Sequence, residues 1–206
     1  MMSIVNFKES CINDAHDIVV QKYLIEGNSY FFSEVNKDIT EFDFKKNISL
    51  LLGVHIRDIA IVGSGKLGFS LKPAKDQAGF YEYKEFDYNF NRNSGAEKSD
   101  LDIAVVSSTL FDKEMKNLFE HTDFYREDYV KTWGNRNSLA KYFLMGRLAT
   151  RFFPYDFKLT KEIENVQKKY KSDFGRTVNI EIYKSWFFFE SYHKQNIQNI
   201  HLNLIA

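Results

Sequence analysis

The chain has 206 residues, and its 28 Lys plus Arg balance its 28 Asp plus Glu, so the formal net charge is zero. That length suits one domain with a sizeable core, and the charge balance gives no global field to draw the protein onto nucleic acid. Aromatic residues make up 17% of the chain against two prolines, which excludes a disordered or linker-dominated chain and predicts an ordered, aromatic-rich core.

The first element expected is a helix over residues 9 to 26, with Ile12, Ala15, Ile18, Val19, Tyr23 and Leu24 tracing an apolar face. Residues 27 to 38 read as loop. A cleaner helix follows. Thr40 caps it with Asp43 at the third helical position, Phe44, Ile48, Leu51 and Leu52 line one face, and Gly53 ends it. DIAIV at 58 to 62 is a short apolar strand running into Gly63-Ser64-Gly65. The polar stretch 71 to 99 carries little periodic signal, and a second strand follows at Leu101 to Val106. Residues 111 to 150 read as helix interrupted near Trp133-Gly134-Asn135, with Pro154 stopping the run. In that reading Arg147 and Arg151 share one helical face toward a polyphosphate or acceptor. Ile163, Val166 and Tyr170 mark another amphipathic helix, Val178 to Tyr183 alternates as a half-buried strand, and Trp186, Phe189 and Tyr192 belong to a last helix. The fold class is therefore α/β (α+β), a small mixed β-sheet flanked by helices.

Cys11 is the single cysteine, so an internal disulfide and a cysteine-rich zinc site are excluded. No apolar run approaches the roughly 20 residues that span a bilayer, and MMSIVNFKES lacks a signal-peptide core. A soluble cytoplasmic protein without membrane partners is expected. The five histidines, His16, His55, His121, His193 and His201, are scattered without metal-ligand spacing and read as ordinary surface or core residues. Lys168, Lys169 and Lys171 read as a solvated helix face, and the aromatic run Trp186 to Phe189 as core.

IVGSGKLGFS, residues 61 to 70, is the stretch that promises chemistry. A Walker A loop fails twice, because Leu67 stands where a hydroxyl residue should follow Lys66, and Ala60 where the first glycine belongs. Gly63, Gly65 and Gly68 do match G-x-G-x-x-G, but the regular βαβ alternation of a dinucleotide domain is lacking, so a dehydrogenase is the weakest reading. SDLDIAVVSS, residues 99 to 108, decides the matter. Asp100 and Asp102 open a strand two residues apart, on one face and about 7 Å from each other along the backbone. Two carboxylates that close repel unless a cation lies between them, and oxygen ligands favour Mg²⁺ or Mn²⁺.

Together, Gly63-Ser64 and Asp100-Leu101-Asp102-Ile103 resemble the nucleotidyltransferase superfamily with its polymerase-β-like fold, over roughly residues 41 to 112. The wider stretch is similar to a largely uncharacterised bacterial branch of it. The resemblance implies one domain over 1–206, with an N-terminal helical segment 1–38 and an insertion at 71–98 that forms a lid, a strand pair or a partner surface. It implies that Gly63, Ser64 and Lys66 bind the nucleotide and that Asp100 and Asp102 hold catalytic Mg²⁺ or Mn²⁺. A third carboxylate comes from a later strand in this superfamily. In VNIEIY, Ile180 and Ile182 point to the core and leave Glu181 on the other face, as a third catalytic metal ligand or as an ordinary edge-strand glutamate. The implied activity moves an NMP group from an NTP to an acceptor (a protein, a tRNA, a nucleotide or a small molecule) and releases pyrophosphate. A second class of reading is a catalytically weak nucleotide-binding sensor or regulatory subunit with a protein partner, as in toxin or defence systems.

Overall fold

The computed structural model describes residues 4–73 and 81–205. A four-stranded mixed sheet has the order β1-β4-β6-β5, with β1 Ile59–Val62, β4 Leu101–Val106, β5 Arg147–Leu148 and β6 Val178–Tyr183. β1 runs antiparallel to β4, β4 parallel to β6, and β5 antiparallel to β6. A separate antiparallel pair joins β2 Phe69–Pro73 to β3 Tyr81–Glu85. The insertion thus contains a strand pair, followed by the short helix α5 Tyr88–Arg92, while residues 74–80 of it lie outside the described residues.

Alternation along β4 and β6 gives the sheet two different faces. Leu101, Ile103, Val105, Ile180 and Ile182 point into the main core, where α3 Glu41–Leu52, α6 Ser108–His121 and α9 Lys161–Phe174 cover them. Ala104, Val106 and Tyr183 face the other side, where Phe189 of α10 Trp186–Ile205 packs. Glu181 alternates with Ile180 and Ile182, as its sequence position predicts.

Helix α3 forms where its capping signals place it. Thr40 Oγ1 accepts the Asp43 N–H at 3.0 Å, and Gly53 closes the helix in the left-handed conformation at φ 65°. Phe44 and Ile48 are fully buried, whereas Leu51 is exposed. The single N-terminal helix divides into α1 Ile4–Asn13, α2 His16–Val20 and a wide π turn at Gln21–Ile25. The break resets the helical phase, so Phe7, Cys11, Val19, Val20, Tyr23 and Leu24 form the buried face and Ile12 and Ile18 face outward. The long helical region holds α6, α7 Glu127–Val130 and α8 Arg136–Leu144, and then leaves the helix at Gly146, φ 64°. Arg147 lies in β5 and Arg151 in a 3₁₀ turn, so they do not share a helical face.

Candidate functional site

Strand β1 delivers Val62 beside Asp102 of β4, and the chain turns sharply at Gly63 into the short helix α4 Gly63–Leu67. Gly63 has φ 64°, and a Cβ there would stand 3.1 Å from Asp102 Oδ2. The glycine therefore does two jobs: it allows the left-handed turn and lets the backbone close on the carboxylate. Ser64 follows at the mouth of two cavities.

Asp100 and Asp102 project from the start of β4 on one side of the sheet. Asn179, in register with Asp102 on the parallel neighbour β6, donates through Nδ2 to Asp102 Oδ1 at 2.9 Å and to Asp100 Oδ2 at 3.2 Å. One neutral amide thus bridges the two carboxylates. The strand start is itself anchored. Arg176, almost fully buried, grips Asp87 with both Nη atoms, at 3.1 and 3.0 Å, and donates to the Ser99 carbonyl at 2.8 Å. Asp87 and Ser99 exchange two further hydrogen bonds, and the Leu101 N–H bonds the Thr177 carbonyl. A two-pronged charged pair, which leaves only Arg176 Nε of the guanidinium without a partner, fixes the residue before Asp100 and so where the acidic pair begins.

Glu181 occupies the next position of β6 on the same face as Asn179, opposite Ala104. Its carboxylate pairs with Arg147, which is buried and flanked by the rings of Tyr142, Tyr183 and Tyr192. Burial works against the Arg147 charge, but Tyr183, Glu181 and Tyr192 outweigh it and hold the guanidinium above the usual arginine range. Among the described residues no three His, Cys, Asp or Glu side chains gather as a metal cluster. The structure therefore brings together Gly63, Ser64, Asp100 and Asp102, adds Asn179, and ties Glu181 to an arginine.

Lys66 is turned into the protein. It is 2% exposed, and its Nζ donates to the carbonyls of Glu26 and Gly27 at 2.8 and 2.6 Å. Burial holds its ammonium below the usual lysine range. The residue that sequence assigned to phosphate instead ties α4 to the end of the π turn.

Two cavities are lined by one or both aspartates, and a third reaches Asn179. A polar one of about 300 Å³ is lined by Ser64, Asp100 and Asp102, by three lysines, Lys72, Lys84 and Lys98, and by Glu85 and Glu97. Lys72 and Lys84 come from the paired strands β2 and β3, and Lys84 pairs with Glu82. A second, of about 320 Å³, shares Ser64, Lys72 and Asp102 with the first and continues past Arg147 and Glu181 to Tyr183 and His193. His193 Nε2, the Tyr183 hydroxyl and the Nε and Nη1 of Arg147 are buried there without hydrogen-bond partners. Burial, and then Arg147, hold His193 down to about 3, so its ring is neutral. A third, of about 980 Å³, reaches Asn179 but neither aspartate, and shares Arg151 with the second.

Sequence reasoning missed Asn179, Arg176 and the lysines of β2 and β3. Asn179 was visible only as a polar residue on the Glu181 face of VNIEIY, and its meaning depends on the β4–β6 register. Compared with known proteins, the chain matches no family model, no curated protein and no solved structure.

Proposed function

We propose that this chain is a divalent-metal-dependent nucleotidyltransferase that moves an NMP group from an NTP to an acceptor hydroxyl. The observation that carries the reading is the closure of the Gly63-Ser64 turn on Asp102, with Asp100 beside it and a lysine-lined cavity over both. Mg²⁺ or Mn²⁺ fits the donors present. Two carboxylates plus substrate phosphates and water make a normal Mg²⁺ site, and Asp100 Oδ1 and Asp102 Oδ2 receive no hydrogen bond from Asn179. Asp100 and Asp102 would hold the metal, which supplies charge neutralisation of the polyphosphate and activation of the acceptor oxygen.

The protein's own groups do the rest. The Ser64 hydroxyl and the Lys72, Lys84 and Lys98 ammonium groups orient and neutralise the β- and γ-phosphates. Asn179 spaces the carboxylates, and Arg176 with Asp87 fixes the start of β4. The acceptor oxygen bonds to the α-phosphorus, the bond from the α-phosphorus to the bridging oxygen breaks, pyrophosphate leaves and the hydroxyl proton is released.

A second reading has its own support. A neutral Asn179 stands in register with Asp102 and Glu181 is engaged by Arg147, which suits a nucleotide-binding sensor or regulatory subunit with little turnover. Incubation with α-labelled NTPs, Mn²⁺, and total RNA or cell lysate separates the two. Label transferred to an acceptor by the protein, and lost in both Asp100→Asn and Asp102→Asn, supports the transferase. Metal-dependent NTP binding without transfer supports the sensor.

A further inference from the structure

The cavity of about 980 Å³ beside Asn179 is lined by neither Ser64 nor the two aspartates of the acidic pair. Two arginines, Arg126 and Arg151, face two aspartates, Asp128 and Asp156, so the lining carries no net charge. Most of these charges are already engaged. Arg126 pairs with Asp123, Asp128 with Lys131, and Asp156 with the Tyr129 hydroxyl and His121. Arg151 forms no ion pair among the described residues, and its guanidinium lies over the Phe152 ring. It stands where this cavity meets the one containing Ser64 and Asp102.

The rest of the lining is aromatic and hydrogen-bonding. Trp133 contributes its indole, held in place by its Nε1–H on the Phe152 carbonyl, and Asn135, Thr132 and Thr150 contribute polar edges. Tyr155 stands on the rim with its side chain fully exposed and no ring partner among the described residues. An aromatic-walled cavity of no net charge, with amide and hydroxyl edges, is the surroundings a nucleobase takes, not a polyphosphate. The second cavity also carries rings among its aliphatic residues, but Phe7 packs on Phe69, Tyr183 on Phe189 and Tyr192 on Tyr183, so none of them is free to stack as Tyr155 is.

We infer that this cavity is the nucleoside subsite, in which Tyr155 stacks on the base and Arg151 spans the junction toward the α-phosphate. The inference rests on the transferase reading for the direction of the phosphates, which run from the acidic pair toward Lys72, Lys84 and Lys98. The nucleoside then leaves on the Asn179 side, and the second cavity is left for the acceptor.

Calorimetric binding tests it without turnover. The probes are the α,β-methylene analogues of the four NTPs, which cannot release pyrophosphate, with inorganic tripolyphosphate as the phosphate-only control, all with Mn²⁺. At least one analogue should bind more tightly than tripolyphosphate. Tyr155→Ala, at a position with no packing to lose, should weaken that analogue by roughly tenfold while tripolyphosphate stays within about twofold. Unchanged analogue affinity in Tyr155→Ala, or an equal loss for tripolyphosphate, overturns the subsite. So does an analogue that binds no better than tripolyphosphate, and in both cases the phosphate site is left standing. Failure of every probe to bind contradicts the transferase reading and the subsite with it. A short oligoribonucleotide that binds in a Tyr155-dependent way while the analogues do not would give the cavity to the acceptor and overturn the assignment.

Discussion

His193 offers a stability measurement whose sign and size both follow from its surroundings. Its ring packs among Tyr183, Phe189 and Tyr192, close to the Arg147 guanidinium, and its Nε2 has no hydrogen-bond partner. Burial and the neighbouring positive charge both oppose protonation, holding the group down to about 3, against 6.5 for an ordinary histidine. Between these two values the unfolded chain binds a proton that the folded chain does not. Stability therefore rises with pH through this window, is fully present above about 6.5, and is lost as pH falls. The slope approaches about 1.4 kcal/mol per pH unit below 6.5, so going from pH 7.5 to 5 costs about 2 kcal/mol. Glu114, whose carboxyl is pushed up by burial, acts in the opposite sense at acidic pH, but it is common to wild type and variant and cancels in their difference. Urea unfolding of wild type and His193→Phe at half-unit steps from pH 7.5 to 5 measures that difference. The variant should lose about 2 kcal/mol less than wild type over the range. Equal slopes in the two proteins would refute the reasoning, because the ring would then be titrating in the folded state much as it does in the unfolded chain.

Three other substitutions test particular contacts. Lys66→Met removes two charge-assisted hydrogen bonds that a buried ammonium makes to the Glu26 and Gly27 carbonyls and should destabilise the fold by about 3 kcal/mol in urea unfolding, while the folded variant keeps its NTP affinity. Lost affinity at unchanged stability would return Lys66 to the phosphate site. Arg176→Leu leaves the Asp87 carboxylate without its buried partner and should cost about 3 kcal/mol by the same measurement; a loss below about 0.5 kcal/mol would show that the pair does not anchor β4. Asn179→Asp removes the amide bridge and adds a third negative charge, so the metal-free protein should lose about 2 kcal/mol. Its Mn²⁺-induced rise in Tm should exceed that of wild type, and an equal or smaller rise would place the metal away from Asp100 and Asp102.

What the sequence made legible was what local chemistry decides. Thr40 and Gly53 bound α3 because a cap and a left-handed stop are set by neighbouring backbone groups. Strand β6 spans the residues its alternation marked, because alternation is a property of the strand itself. Gly63, Ser64, Asp100 and Asp102 were legible as two motifs, though the contact between them is a product of β1–β4 pairing. Lys66 misled because a lysine beside a glycine turn looks the same whether its amine faces a phosphate or, as here, the carbonyls of a turn 40 residues earlier. Residues 147 and 148 looked like the tail of a helix. What turns them into a strand is Gly146, whose carbonyl takes the Lys184 N–H, a partner distant in sequence. Asn179 needed the register of two strands far apart in the chain, which no local pattern encodes.

The Gly63-Ser64 turn and the acidic pair must work together on a nucleoside triphosphate if the chain is a transferase. The most direct measurement is pyrophosphate release with each NTP, Mg²⁺ or Mn²⁺, and total RNA or lysate as acceptor source, by wild type, Ser64→Ala and the Asp100→Asn, Asp102→Asn double variant. Release that needs metal, falls by about tenfold or more in Ser64→Ala and vanishes in the double variant is the predicted result. Release that persists in a folded double variant would contradict the claim and place the chemistry elsewhere on the molecule.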